Sequence, residues 1–149
     1  MQTLKIQIPQ GFQIDKVDVE KGEIKFKPAP KDVKERFKTV QDVLAHHMLT
    51  EEEFDEKCAD LTADEKAYRF LKMLAECLNE GWQPDWNNDN QYKYYPYFYM
   101  GGSSGFQFNV CVHWRSASHV GSRLCFKSAE LARYAGEQFL NQYKQFMTI

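Results

Sequence analysis

The 149-residue sequence has four cysteines and five prolines, no CxxC pair, and no apolar run approaching a membrane span. Without paired or densely spaced cysteines there is no disulfide framework, so Cys58, Cys77, Cys111 and Cys125 read as buried free thiols. Without about 20 consecutive apolar residues no spanning helix is expected. The opening "MQTLKIQIPQGF" also lacks the apolar centre of a secretory signal, which leads to the expectation of a cytoplasmic protein with no membrane partner. Charge of one sign is missing too. Nineteen Lys and Arg stand against 21 Asp and Glu, a net charge of -2, so any attraction to nucleic acid must come from a local patch. There is no GxSxG elbow, phosphate loop or dinucleotide fingerprint. No cofactor is therefore expected, and a binding protein is expected over an enzyme.

What the sequence does have is apolar and aromatic content. Hydrophobic residues make up 43% and aromatic residues 15%, enough for one domain over residues 1–149 that buries roughly two thirds of its unfolded surface. "TLKIQI" (3–8) and "GEIKFK" (22–27) alternate apolar and polar residues and predict an N-terminal antiparallel hairpin. "KPAPKD" cannot continue a strand, because its prolines lack the amide donor.

Residues 31–81 change to a helical period. "DVKERFKTVQDVLAHH" predicts a helix broken or bent near Thr39. Thr50 with Glu53, and Thr62 with Glu65, are capping boxes for two more. The second of these carries the stripe Ala67, Phe70, Leu71, Leu74, Cys77 and Leu78, and ends at Gly81. A last helix starts at Ser128 and presents Leu131, Ala135, Phe139, Tyr143 and Phe146.

Between the helices lie "YKYYPYFYM" (92–100), "FQFNVCVHWR" (106–115) and "SRLCFK" (122–127), joined by the turn-like "GGSSG" and "SASHVG". The expected fold class is α+β: a C-terminal three-stranded antiparallel meander plus the N-terminal hairpin, packed against helices. Placing Phe98 opposite Phe108, and Val112 opposite Phe126, assigns Tyr92, Tyr94, Phe98, Phe106, Phe108, Val110, Val112 and Trp114 to an inner face. Pro96 then marks an edge strand or a bulge.

The outer face in this register carries Tyr95, Tyr97 and Tyr99 with Arg115, Arg123 and Lys127. Aromatic rings beside cations are how single-strand nucleic-acid binders stack bases and meet phosphates. Tyrosine is also a favoured strand residue that often only covers a sheet. The same register brings Cys111, His113 and Cys125 together, soft ligands that suit zinc but lack a fourth partner. A thiol beside an imidazole is also the minimum of a cysteine hydrolase, though no nucleophile signature surrounds these residues. In "GWQPDW", Trp82 and Trp86 flank a proline and either clamp their loop to the core or line a cleft.

"LKIQIPQGFQID" and "EKGEIKFKPAP", with "LNEGWQPDWNNDNQYKYYPYF" and "GSRLCFKSAELARYAGEQFLNQYKQF", resemble small proteins of gut bacteria and their prophages. The resemblance covers most of the chain outside its acidic middle. It implies a phage or mobile-element setting with no assigned activity, and so transfers no catalytic residue. Three functions follow as expectations. The first is an interaction protein with a protein partner, of open oligomeric state. The second is a single-stranded nucleic-acid binder, and the third a small Cys/His metal or hydrolase protein.

Overall fold

The computed structural model describes residues 5–9 and 11–148. Among the described residues, two antiparallel hairpins and six helices account for the regular structure. The first hairpin pairs β1 (Phe12–Asp18) with β2 (Glu23–Pro28). Residues 5–9 form no strand, and Thr3 and Leu4 lie outside the described residues, so the expected strand at 3–8 gives way to one starting at Phe12. The Phe12 amide donates to the Pro9 carbonyl at 3.1 Å across Gly11 at φ +80°, so a turn closes where the alternation of 3–8 ends. β1 escapes a two-residue pattern because it is bulged at Asp15: Ile14 faces Phe26, yet Lys16 faces Lys25.

The helical segment begins with α1 (Val33–Arg36) and α2 (Val40–His46), separated at Thr39, which caps α2 in a box with Asp42. α3 (Glu51–Lys57) and α4 (Ala63–Asn79) start at Thr50 and Thr62 in the expected boxes. α4 ends in left-handed backbone at Glu80 (φ +50°) and Gly81 (φ +85°). The last helix is in fact two, α5 (Ala129–Gln138) and α6 (Leu140–Met147), broken at Phe139. The bend lets α5 lie on a sheet while α6 packs along α4. The core runs through Phe70, Leu71, Leu74 and Leu78 of α4 to Phe126, Phe139 and Phe98. None of the described helices is long and apolar enough to cross a membrane.

The second hairpin pairs β3 (Lys93–Tyr99) with β4 (Gln107–Trp114). Phe98 lies opposite Phe108 as expected. The three-stranded meander does not form. Residues 124–126 meet the sheet through one bridge, Phe126 to Tyr94, on the side of β3 away from β4. Tyr94 and Phe126 exchange both backbone bonds, at 3.0 and 2.8 Å. The next β3 residue pointing toward that edge is Pro96, which has no N–H, so the ladder stops after one rung. The chain leaving β4 does not turn back beside it: Ser118 and His119 cross over Tyr95 instead.

Candidate functional site

A second bulge decides which side chains share a face of the β3–β4 sheet. Phe98 pairs with Phe108 but Tyr97 pairs with Val110, leaving Asn109 as the extra residue. From there the faces of β4 are exchanged relative to unbroken alternation. Pro96, Tyr94, Cys111 and His113 lie on the side of Phe98 and Phe108, against α5. There Gly136 allows close approach, since a Cβ on it would sit 2.7 Å from the Phe108 ring and 2.8 Å from Pro96 Cβ. The other face carries Lys93, Tyr95, Tyr97 and Tyr99 with Val110, Val112 and Trp114. The apolar face expected along all of Phe106–Trp114 is therefore split, and Val110, Val112 and Trp114 stand beside the tyrosines.

One end of that tyrosine face is covered. Lys93 is fully buried; its ammonium donates to the Asp85 carbonyl at 2.6 Å and the Asn88 carbonyl at 3.2 Å, under the Trp86 ring at 5.3 Å. Tyr95 is 3% exposed, with its hydroxyl 3.0 Å from Ser118 Oγ and its ring 5.4 Å from His119. Burial pushes the Tyr95 phenol above its usual range, so it stays neutral. The other end is open: Tyr97 is 52% and Tyr99 51% exposed, beside exposed Val110.

Two of the expected cations are engaged elsewhere. Arg115 lies on Tyr92, 5.3 Å above the ring and 3.1 Å from the hydroxyl. Tyr92 precedes Tyr97 by five residues, roughly 16 Å along a strand. Lys127 pairs with Glu80 at 3.4 Å beyond the end of α4. Arg123 is exposed on the loop that enters Leu124. Tyr97 and Tyr99 are thus brought together with Val110, while Tyr95 is covered and Arg115 and Lys127 are engaged by Tyr92 and Glu80. Trp82 and Trp86 are both half-buried, and Trp86 serves as the lid on Lys93.

Cys111, His113 and Cys125 are also parted. Cys111 and His113 share the helix side, and His113 packs on Tyr92 at 4.6 Å. Cys125 precedes Phe126, which is opposite Tyr94, so its side chain points to the other face. No group of three or more His, Cys, Asp or Glu residues able to hold a metal occurs among the described residues. Burial raises the Cys111 thiol and pushes Cys125 up to about 11, the opposite of what a nucleophile needs. The other histidine–thiol contact is no better, for Cys77, 3.5 Å from His47 Nε2, is pushed up to about 12 by burial.

Val110 is the residue that pattern reading missed. The signal was Asn109, a poor strand former placed mid-strand where a bulge belongs. An open recess of about 500 Å³ beside Asp89, His113 and Arg115 lies at the opposite end of the sheet, where Trp114 pairs with Lys93.

The architecture is that of an α+β protein whose C-terminal hairpin bears α5 on one side and leaves part of the other side bare. No known protein family, curated protein or solved structure matches the chain.

Proposed function

We propose that the chain is a non-enzymatic interaction protein, in a phage or mobile-element setting, that docks a protein partner on Tyr97, Tyr99 and Val110. The observation that carries this reading is the chemistry of the open face: two half-exposed tyrosines whose cross-strand partners, Val110 and Gln107, are uncharged. Tyrosine contributes large contact area at low entropic cost and is enriched in protein interfaces. A nucleic-acid platform needs phosphate-neutralising charge beside its rings, whereas the Asn109 bulge puts Val110 and Val112 beside Tyr97 and Tyr95, and Arg115 lies on Tyr92 instead. The matching partner surface is uncharged and apolar at its centre, with acceptors at its rim for the tyrosine hydroxyls.

A photo-crosslinker placed at Tyr97, compared with one at exposed Glu52 on α3, tests the reading in cells. A discrete protein adduct from position 97 alone is expected. Direct binding of that protein, purified, should weaken at least ten-fold in the Tyr97→Ala, Tyr99→Ala variant. Adducts that are nucleic acid, with strongly salt-dependent binding, would replace the proposal by the single-strand reading.

A further inference from the structure

We propose that β4 is a dimerisation strand: its free edge pairs, antiparallel about a two-fold axis at Val112, with the same edge of a second copy. The hydrogen-bond phase of the sheet identifies that edge. Tyr94 directs both its amide and its carbonyl to Phe126, away from β4. Opposed residues of an antiparallel pair either bond to each other or both turn outward, so His113, opposite Tyr94, directs its own amide and carbonyl away from β3. Cys111, opposite Pro96, does the same. No other backbone group among the described residues bonds to these two amides and two carbonyls.

The two edges of this sheet differ in their protection. On the β3 side Phe126 occupies one rung and Pro96 withholds the next. Open edges are usually guarded by charge, by proline or by a very short strand. β4 has none of these: its 8 residues, Gln107–Trp114, include no Asp, Glu, Lys, Arg or Pro. Its one irregularity, the extra residue Asn109, lies toward one end and leaves Val110–Trp114 regular. The chain leaving β4 does not cover the edge either, since Ser118 and His119 cross the tyrosine face to Tyr95.

What fits this edge is the edge itself. The regular stretch Val110–Trp114 is centred on Val112, and the outward-turned residues, Cys111 and His113, stand one on each side of it. A two-fold axis at Val112 sets Cys111 of each copy against His113 of the other, so every outward amide and carbonyl is bonded and none is left over. The same axis sets Val112 against Val112 and Val110 against Trp114, on the side that bears the tyrosines. Val110 is 42% and Trp114 39% exposed in the single chain, so apolar surface meets apolar surface. A displaced register would run into the bulge at Asn109 or past the end of β4 at Trp114. Pairing joins two hairpins into one four-stranded sheet and leaves no open β4 edge, so association stops at two copies. The paired stretch is far smaller than the roughly 20–30 residues a side of a standard interface, so the dimer should be weak and concentration-dependent. Tyr97 and Tyr99 stay open in this dimer, which does not rest on their proposed role.

Sedimentation equilibrium across a concentration series tests this. The native chain should move from 17.5 kDa toward twice that mass as concentration rises, and no further. His113→Pro removes an outward amide without touching the ladder to β3, and should weaken association at least ten-fold with an unchanged circular dichroism spectrum. Val112→Lys and Val112→Glu should each be monomeric alone and should pair with each other when mixed, because like charges meet across the axis in the first case and unlike charges in the second. Val112→Cys should cross-link to itself on oxidation, since opposed residues of a non-bonded pair have Cα atoms about 4.5 Å apart. Tyr99→Cys, on the same face but outside the paired stretch, should not. A native chain that is monomeric at every concentration overturns the proposal and leaves the edge to a strand of another protein. A dimer indifferent to His113→Pro or to charge at Val112 overturns it too, as does growth beyond two copies.

Discussion

Asn79, in the last turn of α4, grips the backbone around Cys125: its Nδ2 donates to the Cys125 carbonyl at 2.9 Å, and its Oδ1 accepts from the Lys127 amide at 3.0 Å. One carboxamide thus stands in for the missing strand beside residues 125–127, whose pairing to β3 ends at Tyr94. Asn79 is buried, so removing the amide leaves backbone groups without partners rather than handing them to water. Asn79→Ala should cost about 1–3 kcal/mol in urea unfolding. Asn79→Asp should also destabilise, since a carboxylate cannot donate to the Cys125 carbonyl. A change under about 0.5 kcal/mol in both variants would mean that the grip contributes nothing beyond the surface average.

Gly136 sets how closely α5 can lie on β3 and β4. Alanine is the better helix former by about 1 kcal/mol, so propensity alone predicts stabilisation. Against it stands a Cβ 2.7 Å from the Phe108 ring and 2.8 Å from Pro96 Cβ, and the proline cannot swing away. Overpacking of this kind typically costs about 1–3 kcal/mol, so Gly136→Ala should be destabilising on balance. Thermal unfolding of Gly136→Ala beside Gly136→Ala, Phe108→Leu separates the two effects. Partial recovery in the double variant is expected, and a rise in Tm for the single variant would contradict the packing argument.

How far the fold could be read from pattern divides along a physical line. Helix starts were legible because Thr50, Thr62 and Ser128 act through bonds only three residues long. The pairing of Phe98 with Phe108 was legible because it needed only alternation on either side of a turn. The faces of the sheet were not, because a bulge at Asn109 inverts every assignment on β4 beyond it. The bulge at Asp15 likewise hid β1, whose apolar residues follow a broken period. The placing of residues 124–126 on the far edge of β3 depends on Ser118 and His119 packing over Tyr95, contacts that no local pattern encodes. Tyr97 and Tyr99 were found as candidates; Val110, the residue that decides the character of their surface, was not.

Lys93 ties the loop carrying Trp86 to the sheet. Its stem runs through a fully buried position, and its ammonium meets only the carbonyls of Asp85 and Asn88 among the bonds described. Lys93→Met keeps most of the stem and removes the donor. Residues 85–91 should then exchange amide hydrogens faster while the α4 core stays protected, a local loosening rather than a global one. Equal exchange in the variant and the native chain would show that Trp86 holds the loop without the ammonium.

The thiols give the cleanest separation of a binding protein from a cysteine hydrolase. Burial favours the neutral form of Cys77, Cys111 and Cys125, lifting Cys77 to about 12 and Cys125 to about 11. At pH 8 a thiol titrating near 11 is ionised in roughly one molecule per thousand, so attack on a disulfide reagent is slow even before access is considered. Cys58, Cys77 and Cys125 are buried and only Cys111 is half-exposed, its thiol donating to the Ala129 carbonyl at 3.2 Å. With an aromatic disulfide reagent at pH 8, Cys111 should label slowly and the other three only on unfolding in guanidinium. For a group whose folded pKa is raised, stability from the neutral thiol is fully present below the unfolded value near 8.5 and declines as pH rises through the folded value. Unfolding free energy should accordingly fall between about pH 8.5 and 11, and Cys77→Ala, Cys125→Ala should flatten that slope. Fast stoichiometric labelling of Cys111 at pH 7 would instead reveal a thiolate, and would return the hydrolase reading to consideration.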